Sequence, residues 1–341
     1  MPGTIKNGQK WAGAKINGNA VAGLVKNGGV FYRAIPPVGV NWESVNSGYN
    51  STAWQSICRG NGLFVAVSNG TPRCMTSPNG ITWTNRTITA QAWKRVRYGN
   101  GLFVALAPGD GANYLSTSSN GTSWTARSVP NTDSLGSNIT WNDITWGANQ
   151  FVMVGYNANN YNIATSPDCI NWTLRQSSRN GFYSVIYADD KYVAIHSPPG
   201  NLTATQTVAV SPDGIAWTSQ GTTYVGAGNM AYGKNMIVCT AGGYNAMTRP
   251  CTLWSSRNNY IQWYGRNQAD QSWFGVAFGA DLFVTVGSTA GAKVMTSPDG
   301  IVWTIRNGVE EGNWNDVCYA PDLNMFAAVA NSGTVRVMIS K

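Results

Sequence analysis

Ser77-Pro78-Asn79-Gly80-Ile81-Thr82-Trp83-Thr84 decides the fold, because the chain repeats it. It returns as Ser119-Asn120-Gly121-Thr122-Ser123-Trp124-Thr125 and Ser166-Pro167-Asp168-Cys169-Ile170-Asn171-Trp172-Thr173. It appears again as Ser211-Pro212-Asp213-Gly214-Ile215-Ala216-Trp217-Thr218 and Ser297-Pro298-Asp299-Gly300-Ile301-Val302-Trp303-Thr304. A degraded copy runs Ser256-Arg257-Asn258-Asn259-Tyr260-Ile261-Gln262-Trp263. The Trp residues fall 40 to 48 residues apart, the length of a four-stranded propeller blade.

A second phrase precedes each copy. Its clearest forms are Trp54-Gln55-Ser56-Ile57 followed by Phe64-Val65-Ala66-Val67, and Trp93-Lys94-Arg95-Val96 followed by Phe103-Val104-Ala105-Leu106. Two β-rich runs flank Gly/Asn turn residues, so each unit reads as an inner strand A, a turn and a strand B. The apolar run suits a strand covered on both faces. Strand C ends in Thr-Ser, Pro-Asp-Gly supplies turn chemistry, and Ile-x-Trp-Thr is expected in an outer strand D. No segment sustains a 3.6-residue apolar period, so helix should be nearly absent.

Seven A–B units can be counted, but only six repeat phrases follow them. The last C strand, Val335–Ser340, stops at its Ser. The missing half lies near the start, where Pro37-Val38-Gly39-Val40-Asn41-Trp42 aligns with Pro78–Trp83. The expectation is an all-β chain. Residues 36–341 form a seven-bladed β-propeller, closed by an N-/C-terminal strand splice that pairs residues near Val40–Glu43 with Val335–Ile339. Such a splice leaves few open sheet edges.

Residues 1–35 lie outside the ring and repeat Asn-Gly at 7–8, 17–18 and 27–28 between apolar positions, a hairpin signal. The segment is too short to bury a core alone. Ile5, Trp11, Ile16, Val21, Leu24, Val25, Val30, Phe31 and Tyr32 would serve a docking arm better than a free tail.

Charged residues make up only 11% of the 341, against roughly 25% in typical soluble proteins. The net charge of +8 is spread along the chain. Only Lys94, Arg95 and Arg97 cluster. Without a basic stripe or a known module, nucleic acid is not an expected partner. Attraction to an anionic surface such as envelope polysaccharide is the milder reading. No run of 18 apolar residues reads as a membrane span, and Met1-Pro2-Gly3-Thr4 lacks a signal-peptide core. The six cysteines have no CxxC spacing and read as buried free thiols.

Chemistry is hard to find. The one histidine, His196, reads as an exposed loop residue, with no nucleophile elbow in view. No metal site or cofactor is expected. Several carboxylates sit in turns, where Asp caps backbone amides. Asp189-Asp190 read as an A–B turn, and Glu310-Glu311 as a D–A connection. Carboxylates from different blades could still converge as a hydrolase pair. Trp residues used in blade after blade read as packing. Cys58 and Cys318 hold equivalent strand-A positions in blades that should be neighbours.

The repeats differ most in their B–C and D–A connections, at 107–113, 155–162, 196–206 and 241–250. Loops on rigid scaffolds carry function. Tyr and Asn there suit stacking on sugar faces and hydrogen-bonding to hydroxyls. The candidate ligand residues are Tyr156, Asn157, Asn160, Tyr161, Tyr244, Asn245 and Arg249.

The Ser-Pro-Asp-Gly-Ile-x-Trp-Thr repeats resemble those of propeller proteins of tailed bacteriophages, over roughly residues 37–341. They are also similar to the Asp-box of sialidases. Here one residue is missing between Asp and Trp, and the sialidase catalytic set cannot be placed. The Gly-His and Trp-Asp signatures of WD repeats are absent. The Asn-Gly segment resembles virion-attachment segments of phage tail and fibre proteins. These resemblances imply a non-enzymatic virion protein. Residues 1–35 would dock on other virion proteins, and the propeller would be a stabilising or receptor-binding head for host polysaccharide. A bacterial glycan-binding or glycan-hydrolysing propeller is the alternative.

Overall fold

The computed structural model describes residues 38–341 apart from 72, 109–113, 197–205, 224–227, 242–252, 258–261, 267–271, 289–292 and 310–311, together with the backbone of 11–16, 19–26 and 29–34. The described elements are all β-strands.

Six blades are contiguous in sequence. Blade 1 runs Trp54–Gly60, Leu63–Ser68, Cys74–Ser77 and Thr84–Arg86 from inner strand A to outer strand D. Blades 2 to 6 begin at Arg95–Gly99, Thr140–Gly147, Phe182–Ala188, Met230–Gly233 and Ser272–Gly279. Blade 7 takes Trp314–Ala320, Met325–Ala330 and Val337–Ser340 from the C-terminus and Glu43–Ser44 from the N-terminal side. Met338 faces Ser44 and Ile339 faces Glu43 in antiparallel register. Inner strands of consecutive blades lie side by side, and that of blade 7 lies against that of blade 1.

The A–B turns explain the Asn-Gly pairs. Asn61 and Gly62 both have positive φ, as do Asp189 and Asp190. Such turns match the right-handed twist of the flanking strands.

The repeat phrase forms a corner rather than a strand. In blade 1 the Asn79 carboxamide oxygen accepts the amides of Ile81 and Thr82, each at 2.9 Å. Those amides therefore cannot join a ladder, and strand D begins only at Thr84. The expected strand assignment of Ile-x-Trp-Thr is corrected accordingly: the Trp stands before D. Its Nε1 donates to the Gly80 carbonyl at 3.0 Å. An added Cβ on Gly80 would meet Met325 Sδ at 3.0 Å and Ile339 Cγ2 at 3.4 Å, so the corner of blade 1 docks on blade 7, and the corner glycines Gly39, Gly121, Gly214 and Gly300 likewise face the preceding blade.

The core is a set of wedges between blades. One wedge joins Val65, Val67 and Cys74 of blade 1 to Trp93, Val96 and Phe103 of blade 2. Trp54, Trp93, Trp141, Trp273 and Trp314, from the second phrase, are fully buried. Five cysteines are free thiols, four of them buried. Cys251 lies outside the described residues.

Near the N-terminus, Trp11–Ile16, Asn19–Lys26 and Gly29–Ala34 form a three-stranded antiparallel sheet. Ile16 pairs with Asn19 and Lys26 with Gly29, so each connection is two residues long. Ile5 lies outside the described residues, as do the side chains of Trp11, Ile16, Val21, Leu24, Val25, Val30, Phe31 and Tyr32.

Candidate functional site

The seven inner strands place equivalent residues in rows around the ring axis. The first row holds Gln55, Lys94, Asn142, Tyr183, Gly228, Phe274 and Asn315. The second holds Ser56, Arg95, Asp143, Ser184, Asn229, Gly275 and Asp316. In five blades the ladder shifts register between the residue before the first row and the second row, as between Trp54 and Ser56. A bulge leaves one residue unpaired and re-aims its side chain. Residues of both rows thereby line one axial cavity.

The second row builds a charged girdle. Asp316 Oδ2 accepts Ser56 Oγ at 2.7 Å and the Ile57 amide at 3.2 Å, both from the next blade. Ser56 Oγ in turn accepts the Val96 amide of blade 2 at 3.2 Å. Asp143 repeats the arrangement toward blade 4, accepting Ser184 Oγ at 2.9 Å and the Val185 amide at 3.3 Å. The Arg97 guanidinium spans the axis, 3.3 Å from Asp143 and 3.8 Å from Asp316. Burial opposes its charge, and the two carboxylates outweigh that, holding its pKa above the usual arginine value.

Above the girdle, on the face of the B–C and D–A connections, lies a cavity of about 190 Å³. Gln55, Lys94, Arg95, Tyr183, Gly228, Asn229, Phe274, Asn315 and Asn331, from six blades, line it. The lining holds two cations and no carboxylate. Lys94 Nζ sits 5.0 Å above the Tyr183 ring, and burial pushes its pKa below the ordinary lysine value. Arg95 is only 7% exposed; its Nε has no hydrogen-bond partner, and Asp143 Oδ1 lies 3.7 Å away. Asn229 donates to Asp316 at 3.4 Å, but its buried Oδ1 is unpartnered. Buried polar atoms without partners are uncommon, because each costs desolvation free energy.

Below the girdle the axis widens to about 470 Å³. Cys58 and Cys318 do line this chamber from neighbouring blades. Burial raises both thiol pKa values, which leaves them unreactive. Around its rim, at five of the seven blade junctions, an aromatic covers the glycine ending the preceding inner strand, as Trp146 covers Gly99 and Tyr187 covers Gly147. The inner strands of blades 4 and 7 end in Ala188 and Ala320 instead.

The loop residues singled out in the sequence divide. Asn157 is fully buried. Its Nδ2 donates to the carbonyls of Ser137 and Asn138 at 3.2 and 3.1 Å. Its Oδ1 accepts the amides of Asn159 and Tyr161 at 2.9 and 3.2 Å. Its polar atoms thus organise the loop and do not face solvent. Tyr156, Asn160 and Tyr161 are half-buried on that loop, with Tyr156 packed on Gly181. Tyr244, Asn245 and Arg249 lie outside the described residues, as do Glu310 and Glu311.

His196 is corrected from an exposed loop residue to the buried end of strand Lys191–His196. The Phe182 ring covers it edge-on at 6.2 Å, and its Nε2 lies 3.2 Å from Asn180 Oδ1. Burial, with Arg179 adding to it, pushes its pKa down to about 4. Among the described residues no His, Cys, Asp and Glu side chains group as a metal site.

The fold is that of a seven-bladed β-propeller. No family model matches the sequence, and no curated protein matches it. Solved structures do resemble it. YCF48 bound to D1 peptide is 17% identical with a TM-score of 0.61, over 90% of this chain and 99% of that one. Virginiamycin B lyase from Staphylococcus aureus is 9% identical with a TM-score of 0.67, over 88% and 98%. The Pan2 WD40 domain of Neurospora crassa is 8% identical with a TM-score of 0.61, over 89% and 97%. At these identities the likeness is one of fold.

The axial site leaves no repeated mark in the sequence. Its residues occupy the variable positions of Trp-x-x-Val and differ from blade to blade. The one visible signal was the Lys94, Arg95 and Arg97 cluster.

Proposed function

We propose that this propeller is a non-enzymatic recognition head that takes its ligand at the axial mouth on the long-loop face. One observation carries the reading: a cavity whose charged wall residues are the cations Lys94 and Arg95, with no carboxylate in the lining. Tyr156, Asn160 and Tyr161 stand on the same face and would extend contact outward. The axial carboxylates support a role without catalysis, since Asp143 and Asp316 already accept hydroxyl and amide protons from the next blade. Propellers of this fold include a peptide binder and a lyase, so the fold alone favours neither class. The resemblance of the repeats and of the Asn-Gly segment favours a virion, with residues 1–35 as the attachment arm and a host polysaccharide as partner.

The test is a glycan array probed with the full chain, with the bound sugars examined afterwards by mass spectrometry. Saturable binding without cleavage is expected. Released fragments would make the protein an enzyme. Absence of binding on the array would reduce the ring to an architectural part.

A further inference from the structure

We infer that the axial cavity holds a single carboxylated sugar residue, its carboxylate set between Lys94 and Arg95. This rests on the reading that the mouth is a binding site, and it names the ligand class.

The charge pattern selects an anion. Both charged side chains in the wall are cations, and Asp143, 3.7 Å from Arg95 Nε, is too distant to satisfy that N–H. A carboxylate in the cavity would lie against the Arg95 guanidinium and accept from Lys94 in a charge-assisted hydrogen bond. The same pattern limits the charge. Lys94, Arg95 and Arg97 face Asp143 and Asp316 across two layers, which leaves one net positive charge. A monoanion balances it, whereas a dianionic phosphate overshoots.

Size and lining select a sugar acid. The cavity is smaller than the roughly 300–1,000 Å³ of pockets for drug-sized ligands, so it takes about one ring. Amides of Gln55, Asn229, Asn315 and Asn331 line it. Asn315 is already bonded to Trp54, Gln55 and Asn331, and the remaining donors and acceptors of the group suit hydroxyls, while Phe274 and Tyr183 offer ring faces. The Asp143–Arg97–Asp316 girdle closes the floor, so the ring must enter as the terminal residue of a glycan.

The test is NMR titration of the full chain with methyl glucuronoside, methyl galacturonoside, the two matching neutral glycosides and inorganic phosphate. At least one uronoside should bind about ten- to a hundredfold more tightly than its neutral partner, the worth of a hydrogen bond to a charged group. Lys94→Gln should erase most of that preference. Lys94 is half-buried at the mouth and takes no part in the inter-blade bonds of Asp143 and Asp316, so this variant should keep its melting temperature. Arg95→Gln should act more strongly, with its amide dispersion checked for folding. Neutral sugars binding as well as uronosides would overturn the inference, and so would phosphate binding more tightly. If the array shows binding but no uronoside binds, or Lys94→Gln leaves the preference intact, the ligand class falls while the recognition reading stands. If neither assay shows binding, both fall.

Discussion

The amide of Gly39 donates to Oγ of Ser340 at 2.7 Å, across 301 residues of chain. Gly80 makes the same bond to Ser77 at 2.8 Å, and Gly300 to Ser297 at 2.8 Å. Trp42 Nε1 donates to the Gly39 carbonyl at 2.9 Å as Trp83 does to Gly80. The corner of blade 7 is thus built from the two ends of the chain with the bonds other corners make within one phrase. Trp42 also packs among Val284, Val286 and Phe326.

Trp42→Ala should therefore destabilise the whole ring by about 3–5 kcal/mol, as for a buried aromatic elsewhere. Deleting residues 1–43 should do at least as much, whereas deleting 1–33 should leave the melting temperature unchanged. Urea denaturation of the three variants checks this. Equal loss in both deletions would move the essential contacts into the first 33 residues.

Gly99 tests the stacking of blades. A Cβ there would lie 2.2 Å from Trp146 Cβ and 2.7 Å from its Cγ. The Trp146 Cβ moves only with its backbone, so the clash cannot be relieved by a rotamer change. Gly99→Ala should cost about 1–3 kcal/mol by overpacking. Gly70→Ala, with open space around the added methyl, should change stability by less than about 0.5 kcal/mol.

The girdle gives a third prediction. Asp316→Ala would leave Ser56 Oγ and the Ile57 amide without their acceptor and Arg97 with one carboxylate fewer. A loss of about 3–5 kcal/mol is expected in chemical denaturation. Asp316→Asn keeps an acceptor oxygen and should lose clearly less. Equal losses would mean that charge, not the hydrogen bonds, holds blades 7 and 1 together.

His196 is the chain's one histidine, which makes its proton countable. Its pKa is about 4 in the folded ring and near 6.5 in the unfolded chain. Between those values the unfolded chain binds the proton and the folded one does not. Stability should thus fall as pH drops from about 6.5 to 4, by up to about 3 kcal/mol. Asp168, held near a pKa of 2 chiefly by the amides of Asn171 and Ile170, adds a loss only in a lower window, as pH falls below about 4. His196→Gln should flatten the upper window and leave the lower one. A slope that persists above pH 4 in that variant would assign it to other groups.

These features were unequally legible in the sequence. Blade number and length could be read because every blade solves the same packing problem, so Trp83, Trp303 and their equivalents recur at one spacing. Trp42 fits that series, 41 residues before Trp83. The axial cavity could not be read the same way. Ser56, Arg95, Asp143, Ser184, Asn229, Gly275 and Asp316 occupy one row but span five residue types, so no single repeated residue marks it. His196 reads as a loop residue because Ser197-Pro198-Pro199 beside it signals a loop, whereas pairing with Phe182 and Thr207 keeps it in the sheet.

The loop at 156–162 separates scaffold from surface, and its Asn and Tyr residues should behave differently. Asn157 makes four hydrogen bonds from a fully buried position, tying together the segments at 137–138 and 159–161. Asn157→Ala should lose about 2–3 kcal/mol, because two carbonyls and two amides lose their partners without gaining full access to water. It should also disturb binding, by letting the loop drift. Tyr161 is half-buried, and Tyr161→Ala should change stability by less than about 0.5 kcal/mol. If the loop extends the axial site, Tyr161→Ala should weaken binding of a glycan longer than one residue and leave the affinity for a single sugar acid unchanged. Thermal melts together with titrations of a monosaccharide and a longer glycan separate the cases. Equal weakening of both ligands would place Tyr161 at the cavity itself, and no weakening of either would confine recognition to the axis.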